Sequence, residues 1–371
     1  MAPALWGAAG IVAALSMWEM GAPDLLDART YTVQIYRNLD APDNLDQQGK
    51  AFQAALAGLP LLGLGCLALW PTVRALRFYE HKMPHTAGRR DDAAGQSDGS
   101  RAPWWCVPLA IVVLAASPLA PIGVFLDQLH PPSILYEEWN TNGVEIGNTA
   151  QLATLSTIGI LAIAFLLVAA WRYWPARWQR PAIYATVGPL LIAPLLLAIS
   201  LINFWDQPRF AFLYGGIAPT GYAAQDWLID WAARYAMMLV GYTARFLPLA
   251  ILLLYEAGRR VHDELLESAA NLGATPFQTI RTVLAPLLVP ALLGLAALVW
   301  SLCAGELSAS VLINQPGGQT LPVPIFNAMH VGEVEKVAAL SLILIGLTVG
   351  FVLAMWGLLG AARALRGWRR V

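Results

Sequence analysis

Eight apolar stretches, each near the length of a bilayer crossing, leave this chain few ways to fold. They run over 3–18, 51–71, 104–126, 149–171, 182–204, 232–255, 286–305 and 337–360, where a bilayer core asks for about 20 helical residues. Backbone inside lipid must satisfy its own polar groups, so such segments become helices. The expected class is all-α, a polytopic membrane protein of about eight transmembrane helices. Only 13% of residues are charged and mean hydropathy is +0.55, values outside the soluble globular range. Residues 4–18 are apolar but lack a charged n-region, so they read as a first span and not a cleaved leader. Cys66, Cys106 and Cys303 all sit in apolar runs, which suggests core packing and no disulfide or metal set.

Lysine and arginine set the orientation. With the N-terminus in the cytoplasm, the cytoplasmic loops collect sixteen of them: six between 74 and 101, then Arg172, Arg177, Arg180, Arg259, Arg260, Arg281 and four from Arg363 onward. External loops hold five, Arg29, Arg37, Lys50, Arg209 and Lys336, and Arg234 and Arg245 fall within a helix. That asymmetry places both termini in the cytoplasm of a multi-pass protein.

One polar interruption stands between two long apolar stretches, Glu267 to Pro286 (ESAANLGATPFQTIRTVLAP). Residues 267–272 are helix-compatible, and Gly273 suits the left-handed conformation that closes a helix. Thr275 and Pro276 then read as N-cap and first helical residue of a second short helix. Pro286 is expected to open the next membrane helix. The stretch resembles the coupling loop of binding-protein-dependent ABC importer permeases, whose pattern is Glu-Ala-Ala, Gly six residues after the Glu, then a hydrophobic residue and Leu-Pro. Glu267, Ser268, Ala269, Leu272, Gly273, Val283 and Pro286 match those spacings, with Ser268 in the first Ala position and Ala285 where Leu is usual. The resemblance implies the type I importer permease fold and a coupling loop over 258–286. It also implies that Glu267 and Gly273 contact an ATPase subunit, with Leu272 and Phe277 either apolar anchors in its groove or packed under the permease.

The chain also repeats itself. At an offset of 287, residues 3–26 match 290–313 at ten of 24 positions, with Pro3, Gly7 and Glu19 falling on Pro290, Gly294 and Glu306. After a three-residue shift, Thr30, Val33 and Ile35 fall on Thr320, Val323 and Ile325. Residues 1–80 thus read as the end of a first permease repeat. Residues 81–103, poor in apolar side chains, read as a flexible cytoplasmic linker, and 104–371 as a complete second repeat. The arrangement resembles the fused two-repeat permeases of ferric-iron-type importers with the front of repeat one absent. A second coupling loop is then expected from sequence upstream of Met1, from a separate gene, or from a second copy of the chain.

Glu19 and Glu306 end equivalent helices in breaks rich in small residues, including Ser308. Carboxylates at such depth face a cavity or a partner, so these three residues are candidate gate or pathway positions. Arg245, mid-helix, is expected to point into the bundle and pair with a carboxylate or carbonyls. Gly346 and Gly350 form a GxxxG pattern, read as close helix packing. Trp104, Trp105, Trp171, Trp174 and Trp368 are expected at the membrane interfaces.

No GxxxxGK[ST] phosphate loop, HExxH or CxxC occurs, and the five His are scattered. The chain is therefore read as a transport subunit that binds no cofactor, with ATP used by a partner subunit. The resemblance implies as partners ABC ATPase subunits, an extracytoplasmic solute-binding protein, and a second permease half or a homodimer. Membrane lipid surrounds it, no nucleic acid is involved, and the location is the plasma (inner) membrane of a prokaryote. Residues 316–321 look like the ferric-iron branch with its thiamine, phosphonate and polyamine relatives, so ferric iron is one candidate solute, and the acidic external loops hint at a cation. A secondary transporter would need paired charges at the midplane, where only Arg245 lies. A membrane enzyme would need a His, Asp or Cys cluster at one face. Reporters fused after residue 95 and after Val371 are expected to read cytoplasmic and one near Asn142 external; an external reading at residue 95 overturns the eight-span topology.

Overall fold

The computed structural model describes residues 30–40, 56–68, 106–205, 223–315 and 317–368, with scattered positions elsewhere before residue 71 and at 207. Among the described residues the secondary structure is helical, without strands. The first two helices are α1 (Tyr31–Asp40) and α2 (Leu56–Ala68). Then follow α3 (Cys106–Asp127), α4 (Ile134–Thr141) and α5 (Gly143–Trp171). Next are α6 (Ala176–Val187), α7 (Pro194–Trp205), α8 (Ala223–Arg259) and α9 (Asp263–Asn271). The chain continues through α10 (Pro276–Thr279), α11 (Ala285–Ala304), α12 (Ser310–Ile313), α13 (Pro322–Val331) and α14 (Val334–Trp368).

Five described helical stretches are long and apolar enough to cross a membrane: Ala110–Asp127, Gly143–Trp171, Arg234–Arg259, Pro276–Ala304 and Val334–Ala361. Leu56–Ala68 is a shorter apolar helix within the expected span 51–71. The expected span 3–18 lies largely outside the described residues, as do linker 81–103, Trp104 and Trp105. The expected span 182–204 is not one helix. It breaks into α6, a 3-10 turn Gly188–Leu191 and α7, because Pro189 and Pro194 remove backbone donors that a continuous helix would use.

The core forms where α5 packs against α8 and α11, with α14 on the far flank of α11. Leu152, Ile160 and Ala164 of α5 meet Met238, Tyr242 and Leu254 of α8 and Leu288 and Val299 of α11, all buried. Lipid tails are as apolar as these side chains, so packing and interhelical hydrogen bonds hold such helices together. Trp300 shows both, donating to Thr154 Oγ1 at 3.0 Å and stacking on Phe351 with ring centroids 4.5 Å apart.

Three packing expectations change. Gly346 and Gly350 have open space where a Cβ would sit, so their stripe makes no close helix contact among the described residues. Trp171, the last residue of its span, is buried edge-on against Tyr255 and does not face lipid there, whereas Trp174 is exposed. Cys303 is core as expected, but Cys66 is exposed.

Pro286 stands in the first turn of α11, as expected, but no break separates that helix from the one before it. Helix α10 runs directly into α11 through a π turn, Ile280–Leu284, closed by the Ala285 amide donating to the Ile280 carbonyl. A proline ring clashes with the carbonyl four residues earlier and offers no N–H to it; widening the preceding turn relieves both problems.

Beyond Ala304 the chain turns back into the bundle. Glu306, Ser308, Ser310, Ile313, Thr320 and Leu321 are all buried, and their segment is fastened to α5. The Asn148 carboxamide donates to the carbonyls of Gly317 (3.0 Å) and Gln319 (2.9 Å) and accepts from the Tyr235 hydroxyl at 2.7 Å. Thr149 Oγ1 accepts from the Leu321 amide at 2.8 Å. A Cβ on Gly318 would stand 3.1 Å from the Arg234 carbonyl, tighter than ordinary contact, so a larger residue would press this segment a few tenths of an ångström away from α8.

Candidate functional site

The loop singled out by sequence is a helix–turn–helix with both joints capped. Helix α9 closes in a Schellman turn: Gly273 N–H donates to Ala270 O at 2.9 Å, and Ala274 N–H to Ala269 O at 3.0 Å. Gly273 has φ +84°, a region where side chains are strained and glycine is not. Helix α10 starts in a capping box. Gln278 N–H donates to Thr275 Oγ1 at 3.3 Å, and Thr275 N–H donates back to Gln278 Oε1 at 2.8 Å, with Pro276 in the first turn.

Rigid joints set the outer face. Leu272 is 89% exposed and Phe277 72%, so neither packs beneath the permease. Glu267 and Ser268 are exposed beside them, Ala269 is half-buried, and the Ser268 hydroxyl bonds the Glu264 carbonyl at 2.6 Å. Pro286 lies ten residues beyond Pro276, past the π turn, and so belongs to the span and not to the outer face. Large apolar side chains on a loop whose backbone is held in one shape mark a contact surface.

The second candidate group lies on the other side of the bundle. Arg245 of α8 forms an ion pair with Glu306, whose residue is only 4% exposed while the Arg245 side chain is 17% exposed. The same Glu306 Oε1 accepts from the Ala309 amide at 2.9 Å, which starts α12. Ser310 donates to the Glu306 carbonyl at 2.7 Å and pairs with the Tyr242 hydroxyl at 2.8 Å. Tyr242 and Arg245 lie three residues apart on one face of α8, so together they hold the turn 306–310. Ser308 is buried in that turn. The expected carboxylate partner of Arg245 is thus the other candidate of the same group, while Glu19 lies outside the described residues. Among the described residues no set of three His, Cys, Asp or Glu is placed to hold a metal.

Sequence reasoning missed the residues that position both groups. Asn148 and Thr149 look like the polar rim of an apolar run, and Arg172 reads as a topological charge. The usable signal was three-residue spacing, which puts Tyr242 on the face of Arg245. Replacing one partner of the pair leaves the other buried and unmatched, which costs about 3–5 kcal/mol. Arg245→Met and Glu306→Leu are each expected to lower the thermal transition of the detergent-solubilised protein markedly, and the double variant less than either; a double-variant loss equal to the sum of the two single losses would show that the pair is not coupled.

Comparison with known proteins gives the family. The family described as binding-protein-dependent transport system inner membrane component matches residues 150–361. A protein of Salmonella paratyphi A named as a 2-aminoethylphosphonate transport system permease is 40% identical over 90 residues, 24% of this chain and 34% of its own length. The putrescine transport system permease of Escherichia coli K12 is 25% identical over 234 residues, 54% of this chain and 83% of its own. A protein of Sinorhizobium fredii named as an ABC transporter permease is 24% identical over 366 residues, 92% of this chain and 59% of its own. The chain therefore spans about a third of the phosphonate relatives and under two thirds of the Sinorhizobium one. A solved bacterial ABC transporter for alginate import overlays loosely, with TM-score 0.48 and 17% identity over 70% of this chain and 98% of its own. The match from 150 to 361 takes in α8, the capped loop, α11 and the segment folded back behind it, and this chain belongs to the family of binding-protein-dependent transport system inner membrane components.

Proposed function

We propose that this chain is the membrane-spanning permease subunit of an ATP-driven importer in the inner membrane of a prokaryote. An extracytoplasmic binding protein delivers the solute, and separate ATPase subunits dock on the loop 258–286. The observation that carries this reading is the doubly capped loop with Glu267, Leu272 and Phe277 exposed on it. A secondary transporter has no need of such a surface. A second permease half, or a second copy of this chain, completes the pathway.

The segment 305–321 is the element best placed to gate the far side. Arg245 and Glu306 neutralise each other there, so the pair acts as a latch and not as a charged binding site for solute. Ser308 lies inside the latched turn.

For the solute, the relatives' names favour an organic amine and give ferric iron no support. 2-Aminoethylphosphonate, putrescine and spermidine, named in those relatives, share an alkylammonium group, which fits the acidic external loops. Thermal-shift measurement on the partnering binding protein is expected to show stabilisation by one of these three and none by ferric citrate; stabilisation by ferric citrate alone reverses the assignment.

Glu267→Arg reverses the charge on the docking face, and Gly273→Val puts a branched side chain at φ +84°, which costs about 1–2 kcal/mol. Both are expected to cut the ATP hydrolysis stimulated by loaded binding protein by about tenfold or more, within the range of site–site coupling, with membrane insertion unchanged. Wild-type stimulation in both variants would remove the loop from the coupling path.

A further inference from the structure

Helix α5 grips a polar segment at each of its ends. Near its start, Asn148 and Thr149 hold the folded-back segment through the Gly317 and Gln319 carbonyls and the Leu321 amide. At its other end Arg172 reaches the last turn of α8. Its guanidinium donates to the Gly258 carbonyl and, at 3.2 Å, to the Val261 carbonyl. A cation on the closing carbonyls of a helix is favoured by their partial negative charge, and the planar guanidinium fork brings one terminal nitrogen within reach of both. Val261 is followed by His262, the N-cap of α9, so Arg172 fixes the point where the docking loop begins. The next residue, Tyr173, donates its hydroxyl to the Pro276 carbonyl at 3.4 Å, where the second half of the loop begins. Two consecutive residues thus hold the loop at 258–261 and at 276, on either side of its exposed face.

Asn148 and Arg172 are separated by 24 residues of one unbroken helix, about 36 Å at 1.5 Å per residue. No proline interrupts α5, and its middle is buried against α8 and α11. Sharp kinks sit at prolines, Gly/Ser pairs, π bulges or inserted groups; α5 carries Ser156 and Gly159 but runs as one uninterrupted α-helix from Gly143 to Trp171, the form of a rod.

We propose that α5 is a mechanical strut, with Arg172 and Tyr173 as positioning residues for the docking loop and Asn148 and Thr149 as their counterparts for segment 305–321. A displacement of the loop is delivered to the far-side segment along this helix, and the reverse. Its role in transport rests on the loop being the ATPase contact, but the linkage itself is a property of this chain alone. Coupling between two sites is reciprocal, so loosening either grip loosens both ends.

The test is amide hydrogen exchange, read by mass spectrometry, on the full chain in lipid nanodiscs. Arg172→Ala is expected to speed exchange by about tenfold, the scale of such couplings, in 262–279 and also in 314–321. Asn148→Leu, altered at the opposite end, is expected to speed exchange in the same two stretches. If each variant loosens only its own end, the strut is wrong. Should Arg172→Ala not insert, Arg172→Lys keeps the charge and loses the fork; the same two-ended pattern at smaller amplitude supports the strut, and a one-ended pattern overturns it. Neither result depends on an ATPase subunit, so failure here is distinct from normal stimulation in Glu267→Arg, which would instead undo the docking reading.

Discussion

Non-helical backbone at membrane depth survives only where neighbouring protein supplies the hydrogen bonds that lipid cannot. Segment 305–321 is where this chain meets that constraint, and much of the bundle is arranged around it. The Asn148 side chain uses both its oxygen and its nitrogen, Thr149 receives the Leu321 amide, and Tyr242 meets Ser310. The Arg245–Glu306 pair supplies charge where a neutral contact would leave Glu306 costly to bury. Each partner comes from α5 or α8, and those two helices also form the most extensive contact in the bundle. Packing of the spans and anchoring of the folded segment are therefore one problem with one solution.

The opposite end is built on another principle. There the loop leaves lipid, water can satisfy its polar groups, and shape is set locally. A Schellman turn and a capping box within a few residues of each other set the turn between α9 and α10 locally, while Arg172 and Tyr173 seat its two ends on the bundle. This local stiffness lets Leu272 and Phe277 stay exposed instead of collapsing onto the membrane helices. A docking surface with little freedom left to lose on contact binds at lower entropic cost.

The difference between local and distant determinants explains what could be read in the sequence. Gly273, Thr275 and Pro276 declare their roles because each acts on its immediate neighbours, and the structure places all three as expected. Arg245 declares a need for a partner but not which one, since Glu306 reaches it only after the chain has crossed the bundle again. Asn148 and Arg172 stayed hidden because a polar residue at the end of an apolar run looks the same whether it faces water or grips another helix. The broken span at 182–204 was concealed in the same way: average hydropathy takes no account of which backbone donors Pro189 and Pro194 remove. Expectations about GxxxG packing failed because a small-residue stripe announces a possible approach and not a neighbour.

The π turn at 280–284 carries one more residue than an α turn would, and one residue corresponds to about 100° of rotation around the axis. Side chains before and after it are thus out of phase, and the stripe of α11 that faces the core does not continue onto α10. Counted back from the span in steps of three and four, a residue such as Phe277 would be assigned to the wrong side. Numbered from Gly273 it falls on the outer face, where it is found. In relatives lacking the extra residue, the same letter at the same aligned column would point elsewhere. The outer face of such a loop is thus a matter of angular register, set several residues away from the side chains that it exposes.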